Sequence, residues 1–286
     1  MKHIVIAGAS GFVGQNLKTF FTKLDYKVSA ISRDILNDKN KLQELLSSSD
    51  VVINLSGANI INRWSESYKK LLYSSRIDTS SKIVSALNSI EDVNKKPKVL
   101  ISTSAVGIYD NKAIYAEDGN YSNDFLSNLC QDWEKEALKA SSTNTKVVIF
   151  RFGIVLGEGG GALSKMLLPF KMGLGGVIGS GNQAFSYIHI EDLLNAYKFV
   201  IEKELDGVFN LCAPEPTTNK GLTKALGKAL NRPTFFPVPE FILEMIFSEG
   251  AKVLTDGQSA IPKKLLDNGF IFKYKNIEET INNICK

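Results

Sequence analysis

Cysteine is scarce: three in 286 residues, Cys130, Cys212 and Cys285, set far apart, with no CxxC pair and no partner histidines. That spacing excludes a disulfide framework and a metal centre, and it fits a reduced, cytoplasmic compartment. No apolar run approaches the ~20 residues of a membrane span. The apolar stretch at the N-terminus is too short for the core of a signal peptide. Neither a membrane partner nor a secretory route is expected. An excess of one charge is also missing, since 34 Lys+Arg against 30 Asp+Glu leave a net charge of +4. Only five of those 34 are arginine. Nucleic-acid surfaces cluster their basic residues and favour bidentate arginine, so no nucleic-acid partner is expected. Internal repeats and low-complexity linkers are absent. What is left, 44% hydrophobic and 22% charged, is the composition of an ordinary globular protein. The length suits one large α/β unit, or a nucleotide domain with a smaller companion.

The first sixteen residues, MKHIVIAGASGFVGQN, organise the rest. Ile4, Val5 and Ile6 form a short apolar run of β-branched residues, the pattern of a strand buried on both faces. Gly8, Gly11 and Gly14 follow with GxxGxxG spacing, and then Leu17, Phe20, Phe21 and Leu24 recur at helical spacing. Strand, glycine turn and helix in this order suit a dinucleotide. The glycines allow a tight turn, close approach of backbone to a diphosphate, and close packing of helix on strand. The diphosphate then meets the free N–H groups and the positive dipole end of the helix.

Strands and helices alternate along the chain. Strands are expected at 27–32, 50–55, 98–102 and 146–152. Helices are expected at 41–46, 65–87 and 124–139. That order predicts a Rossmann-type, doubly wound parallel sheet with helices on both faces. Beyond residue 153 the texture changes. Residues 157–181 hold nine of the 22 glycines, as in a segment that wraps over a ligand. Late strands are expected at 186–190 and 208–211, and prolines punctuate a C-terminal part with short helices. The division expected is a nucleotide-binding domain over 1–165, joined by late strands from about 182–212, and a smaller substrate-binding domain mainly over 166–286.

Strand two is followed by Ser32-Arg33-Asp34. A site that selects NAD places an acid at the end of this strand, whereas one that selects NADP places arginine or a small hydroxyl there. Arg33 can stack on adenine and pair with a 2′-phosphate, with Ser32 adding a hydrogen bond. Asp34 falls one step too late. The competing reading leaves Arg33 as a solvated surface residue. Asn54-Leu55-Ser56-Gly57 ends the next expected strand with small residues, which lets backbone line the nicotinamide-ribose side of a cleft.

At this point the chain resembles an extended, atypical short-chain dehydrogenase/reductase. More narrowly it is similar to the "epimerase family protein" group, whose members look like nucleoside-diphosphate-sugar epimerases. The matching stretches are GASGFVG, INLSGANI with the following RW, LLYSSRIDTS, STSAVGIY, FLSNLCQDWE, RFGIVLGEGGGALSKMLLPFKMGLGGVIGSG and FSYIHIEDL. The tail NLCAPEPTTNKGLTKALGKALNRPTFFPVP and the residues after it resemble the C-terminal domain of that group. The resemblance implies NADP(H) as cofactor. Gly8, Ser10, Gly11, Phe12, Val13 and Gly14 would hold the diphosphate, and Ser32 with Arg33 the adenosine phosphate. Leu55, Ser56 and Gly57 would line the cleft, Arg76 would reach back to the cofactor, and Val155 would touch the nicotinamide end. Arg33 and Arg76 stand out because this chain uses lysine almost everywhere else, and arginine suits planar, bidentate recognition. A plain helix-surface role is the other reading of Arg76.

Extended short-chain enzymes place a Ser or Thr after the fifth strand and a Tyr-x-x-x-Lys on the next helix. Lysine lowers the tyrosine pKa, and the phenol exchanges a proton while hydride moves to nicotinamide. Ser104 matches the Ser/Thr position. The sequence contains no Tyr-x-x-x-Lys. The two helix registers put Leu126 and Cys130, or Cys130 and Glu134, at the Tyr and Lys positions. Tyr109 and Tyr115, in the loop after Ser104, are the available phenols; Tyr109 is either the acid/base or a residue packed over the cofactor. Lys165 and Lys171 either meet an anionic substrate or are solvated beside a buried helix carrying Met166, Leu167, Leu168 and Phe170. His189 either faces substrate or is structural, Asp192 is expected to cap the helix that follows, and Trp64 and Trp133 are expected in the core.

Two functions follow. One is an NADP-dependent oxidoreductase or epimerase acting on a small hydroxyl or carbonyl compound, nucleotide-linked sugars among the candidates. The other is a catalytically silent dinucleotide-binding regulator or scaffold. Relatives of this kind pair through the two helices expected near 65–87 and 124–139, so a homodimer with an apolar shared face is expected.

Overall fold

A computed structural model describes residues 2–142 and 144–286. Strand β1 (His3–Ala7) leads into helix α1 (Phe12–Lys23) and strand β2 (Lys27–Ile31). Helices α2 (Arg33–Asn37) and α3 (Lys39–Ser47), strand β3 (Val51–Asn54), helix α4 (Glu66–Asn88) and strand β4 (Val99–Ala105) follow. Then come β5 (Ile114–Tyr115), α5 (Phe125–Leu138), β6 (Lys146–Phe152), β7 (Ile154–Leu156) and α6 (Gly161–Lys171). Strand β8 (Tyr187–His189), α7 (Ile190–Glu202), β9 (Gly207–Leu211), α8 (Asn219–Leu230) and α9 (Glu240–Phe247) continue the chain. It closes with α10 (Lys252–Thr255), β10 (Ser259–Ala260), α11 (Lys263–Asp267) and α12 (Ile277–Ile284).

Six strands form one parallel sheet in the order β2-β1-β3-β4-β6-β9. Side chains alternate across it, and each parity finds its own core. Ile4, Ile6, Val51, Ile53, Val99, Ile101, Val148 and Phe150 pack with Leu17 and Phe21 of α1 and with Leu193, Tyr197 and Val200 of α7. Val5, Ala7, Val52, Leu100, Val147 and Ile149 pack with Leu42 and Leu46 of α3, with Ile83, Val84 and Leu87 of α4, and with Ala137 of α5. The strand expected at 186–190 is not part of this sheet, because β8 pairs with β7 in a separate two-stranded ribbon. Elements from the C-terminal half cross back under the sheet: β9 forms its edge, and Leu265, Phe270 and Phe272 enter the α1–α7 core.

The outer faces of α4 and α5, through which a homodimer is expected, mix apolar with polar and charged residues. Leu71, Tyr73 and Leu138 are exposed there, among exposed Lys70, Asp78, Asn128, Asp132 and Lys135, and the Tyr73 hydroxyl is tied to Asp132 at 2.9 Å. Trp64 and Trp133 are core residues, as expected.

Asp192 does not cap α7. His189 does, its Nδ1 accepting from the Glu191 amide at 3.1 Å. The Asp192 carboxylate is buried and accepts instead from the backbone N–H groups of Lys273 and Tyr274, pinning the C-terminal segment to α7. His189 is therefore structural: it is buried, within hydrogen-bond reach of Asn283 at 3.1 Å, and packed on the Tyr274 ring. Burial holds its pKa below 6.5. The unfolded imidazole thus takes up a proton that the folded one resists. The stability this residue contributes is complete above pH 6.5 and is lost as pH falls below it toward the depressed folded value. Urea denaturation at about pH 5.5 and 7.5 is expected to show that loss. His189→Asn, which keeps a capping side chain, should remove it; an unchanged pH dependence in the variant would assign the loss elsewhere.

Candidate functional site

The sheet reverses its winding between β1 and β3, and at such a switch point the carboxyl ends of the strands open a crevice for a ligand. The glycine turn lies there. Gly8 has φ +79°, and a Cβ on it would stand 2.9 Å from the Leu55 carbonyl carbon across the switch. A Cβ on Gly14 would collide with the Gly8 carbonyl oxygen, so this glycine seats α1 on the turn. Helix α1 starts at Gly11 with no side-chain cap and no acidic residue in its first turn. Its terminal amides and dipole are left for an anion. Ser10 and Gly11 are exposed and Phe12 and Val13 half-buried, so the turn presents backbone outward.

The glycine-rich segment closes on this turn from the other side. Gly157 and Gly160 lie against the Phe12 ring with no room for a Cβ, and Gly161 sits between that ring and the Val155 carbonyl. Residues 161–171 then form α6, in which Leu163 and Phe170 are buried, Leu168 is exposed, and Lys165 and Lys171 face solvent. The segment is thus a glycine hinge followed by a helix.

At the adenosine side, Ser32 caps α2, its Oγ accepting from the Ile35 amide at 3.3 Å. Arg33 and Asp34 are exposed at the first turn of that helix. Among the described residues Arg33 has no ion-pair or hydrogen-bond partner for its side chain, so the guanidinium is available to an anion.

The loop after β3 is held from below. Asn54 donates to Ser80 at 2.9 Å and accepts from the Ser56 amide at 3.1 Å, while Leu55 and Ser56 are half-buried at the crevice. The Arg76 guanidinium lies directly under Gly57, where a Cβ would come within 2.9 Å of its Cζ. It donates to the Ala58 and Leu72 carbonyls, both at 3.0 Å, and stacks over the Trp133 ring. Burial lowers its pKa, and among the described residues no carboxylate pairs with it.

Strand parity decides the rest of the site. Ser104, Arg151 and Asn210 are cross-strand neighbours at the carboxyl ends of β4, β6 and β9, and all three point to the α5 side. There the carboxylate of Glu134 accepts a hydrogen bond from the Ser104 hydroxyl at 2.7 Å and is clasped by Arg151 Nε and Nη2 at 2.7 and 2.8 Å. Arg151 also donates to the Tyr109 and Tyr121 hydroxyls, each at 2.7 Å, and to the Glu117 carbonyl at 2.9 Å. The Tyr109 hydroxyl itself donates to Asn210 Oδ1 at 2.7 Å. Glu117 completes the cluster by accepting from the amides of Asn210 and Lys264. Ser104 and Arg151 are each 1% exposed, and Tyr109 is 0%.

Of the two helix registers, the structure selects Cys130 and Glu134. The Cys130 thiol neighbours Ser104 and the Ala105 backbone, and burial pushes it up to about 11. Burial likewise raises the Tyr109 phenol to about 12, against the opposing pull of Arg151. Tyr115 stacks on Tyr109 and donates to Asp110 at 2.5 Å. The Tyr and Lys positions are therefore filled by a protonated thiol and a carboxylate already paired with arginine. The sequence names Glu134 only as a register position and does not single out Arg151. Their signal was there: one of five arginines sits inside the buried run KVVIFRF, a place that demands a partner for its charge.

Fold and site together define a dinucleotide-binding α/β protein of the short-chain dehydrogenase/reductase type that lacks the Tyr-x-x-x-Lys pair. The chain belongs to the NAD dependent epimerase/dehydratase family, which it matches over residues 4–212; residues 238–284 match a domain of unknown function, DUF1731. It is 37% identical to the mouse (Mus musculus) epimerase family protein SDR39U1, over 98% of this chain and 99% of that one. The crystal structure of human epimerase family protein SDR39U1 (isoform 2) with NADPH superposes with a TM-score of 0.92 at 32% identity, covering 99% of each chain. The Thermus thermophilus UDP-glucose 4-epimerase complex with NAD shares the fold, with a TM-score of 0.76 at 15% identity over 99% of this chain and 98% of that one.

Proposed function

We propose that this chain binds NADPH and transfers hydride between it and a small hydroxyl or carbonyl compound in a cytoplasmic setting. The observation that carries the reading is the continuity of the crevice. Arg33, without a side-chain partner among the described residues, the uncapped α1 turn, the β3 loop and Ser104 stand at the carboxyl ends of four adjoining strands. The human relative named with NADPH supports the same cofactor. In this reading the backbone of Gly8, Ser10, Gly11, Phe12, Val13 and Gly14 holds the diphosphate, and Ser32 and Arg33 hold the 2′-phosphate. Leu55, Ser56, Gly57 and Val155 line the nicotinamide half. Arg76 supports that wall from beneath through the Ala58 carbonyl. The bound dinucleotide supplies the hydride. Ser104 is the group that meets the substrate oxygen, Glu134 and Arg151 fix its position, and Tyr109 is a structural member of their network.

Cofactor choice is the direct test. NADPH is expected to bind more tightly than NADH by roughly 1–3 kcal/mol, the scale of a charge-assisted hydrogen bond. Arg33→Ala should erase most of that difference and leave NADH affinity as it was. Calorimetric titration of both proteins measures it, and equal affinities in the wild type would overturn the assignment.

A silent dinucleotide-binding role is the second reading. It is favoured by one observation: the Tyr and Lys positions hold Cys130 and Glu134, and the neighbouring thiol and phenol are both pushed up by burial. Screening the NADPH-loaded protein against carbonyl compounds and nucleotide sugars separates the two, since any turnover removes the silent reading.

A further inference from the structure

Helix α2 carries Arg33 at its start and Asn37 at its end. Residues four apart share one face of a helix, so the two side chains leave α2 on the same side. That side is turned to α4, where the Lys82 ammonium donates to the Asn37 side-chain oxygen at 2.6 Å. Ser80, two residues before Lys82, accepts from Asn54 at the carboxyl end of β3. This turn of α4 is therefore level with the mouth of the crevice. Strands β2 and β3 flank β1 in the sheet, and α2 continues β2 directly. Arg33 and Lys82 thus come from elements on the two sides of the strand that leads into the glycine turn.

Hydrogen-bond donors collect here without an acceptor for them. Arg33 and Lys82 are exposed, and among the described residues neither pairs with a carboxylate. An ammonium has three protons, of which Asn37 takes one. The acidic neighbours are turned away or engaged. Asp34 follows Arg33 directly and lies about 100° round the helix from it. Asp38 accepts from the Asn40 and Lys41 amides and pairs with Lys41 at 3.2 Å. Asp78, one turn before Lys82 on α4, is exposed and makes no ion pair among the described residues. Lys39, exposed at the start of α3, adds a further positive charge on this side.

We infer that Lys82, held in place by Asn37, is a second cation for the 2′-phosphate of the dinucleotide, so that α4 shares with α2 the choice of NADPH over NADH. The inference rests on the NADPH reading above and adds a residue to it. A phosphate monoester offers three oxygens and close to two negative charges, more than one guanidinium fork satisfies. Arginine supplies the planar fork and lysine a compact point charge. Asn37 is neutral, so it positions the ammonium without cancelling its charge.

Calorimetric titration of the full chain with NADPH and with NADH is the test. Lys82→Gln is expected to weaken NADPH binding by about three- to tenfold and to leave NADH within about twofold. Asn37→Asp sets a carboxylate against the ammonium and should lower NADPH affinity in the same way, again sparing NADH. In an Arg33→Ala background Lys82→Gln should cost less than it does alone, because both cations serve one phosphate. Unchanged NADPH affinity in Lys82→Gln overturns the inference. An equal loss of NADPH and NADH also overturns it, since Lys82 would then support the crevice as a whole. So does an undiminished loss in the Arg33→Ala background. A wild type that binds the two dinucleotides equally removes the cofactor reading and this inference with it. A wild-type preference that Arg33→Ala abolishes and Lys82→Gln leaves intact removes this inference alone.

Discussion

Arg151→Ala is expected to destabilise the protein by about 3–5 kcal/mol, the cost of leaving one partner of a buried ion pair without the other. Among the described residues Arg151 is the largest fully buried side chain. Its guanidinium meets both oxygens of Glu134, two phenol oxygens and a backbone carbonyl. Removing it strands the Glu134 carboxylate, with Ser104 as its remaining donor, and takes a donor from Tyr109 and Tyr121. Glu134→Ala should be similarly costly for the mirrored reason. A double replacement, Glu134→Gln with Arg151→Met, should recover part of the loss, because neither charge is then left buried alone. Urea denaturation of the three variants checks this. If Arg151→Ala cost less than about 1 kcal/mol, water would be reaching the cluster and it would not be a closed structural unit.

Ser104→Ala is expected to leave NADPH affinity within about twofold while lowering kcat by about two orders of magnitude, on whatever carbonyl or hydroxyl compound the protein turns over. The Ser104 proton points at Glu134, so in the proposed reading the oxygen would meet a substrate hydroxyl as an acceptor. Rotation about the Cβ–Oγ bond makes it a donor to a developing alkoxide. Losing one such donor typically costs about 3–4 kcal/mol of barrier. Ser104→Thr retains the hydroxyl and should restore part of the rate. The KM-against-kcat split is the decisive readout: a rise in KM alone would make Ser104 a packing residue beneath the nicotinamide.

The sequence by itself determined the parallel sheet and the glycine turn that opens it. Those features are local or periodic. Ile4, Val5 and Ile6 before three glycines specify strand and turn within a few residues of one another, and alternating strands and helices admit few topologies. Helix α5 and strand β6 were legible for the same reason.

The buried cluster around Ser104 was decided only by the tertiary structure. Ser104, Glu134, Arg151, Tyr109 and Asn210 come from separate elements, and they meet because β4, β6 and β9 pair in one register with α5 packed on the same face. A sequence reading that seeks a phenol beside an ammonium at fixed spacing finds neither, since the structure answers with an ion pair of opposite arrangement. The caps of α7 follow the same logic. Asp192 has the right residue type, but a contact with residues 273 and 274, some eighty positions away, captures its carboxylate and leaves the cap to His189. Local chemistry nominates a side chain for a role, and long-range burial decides which partner it finds, because a buried charge must be satisfied wherever the fold brings it.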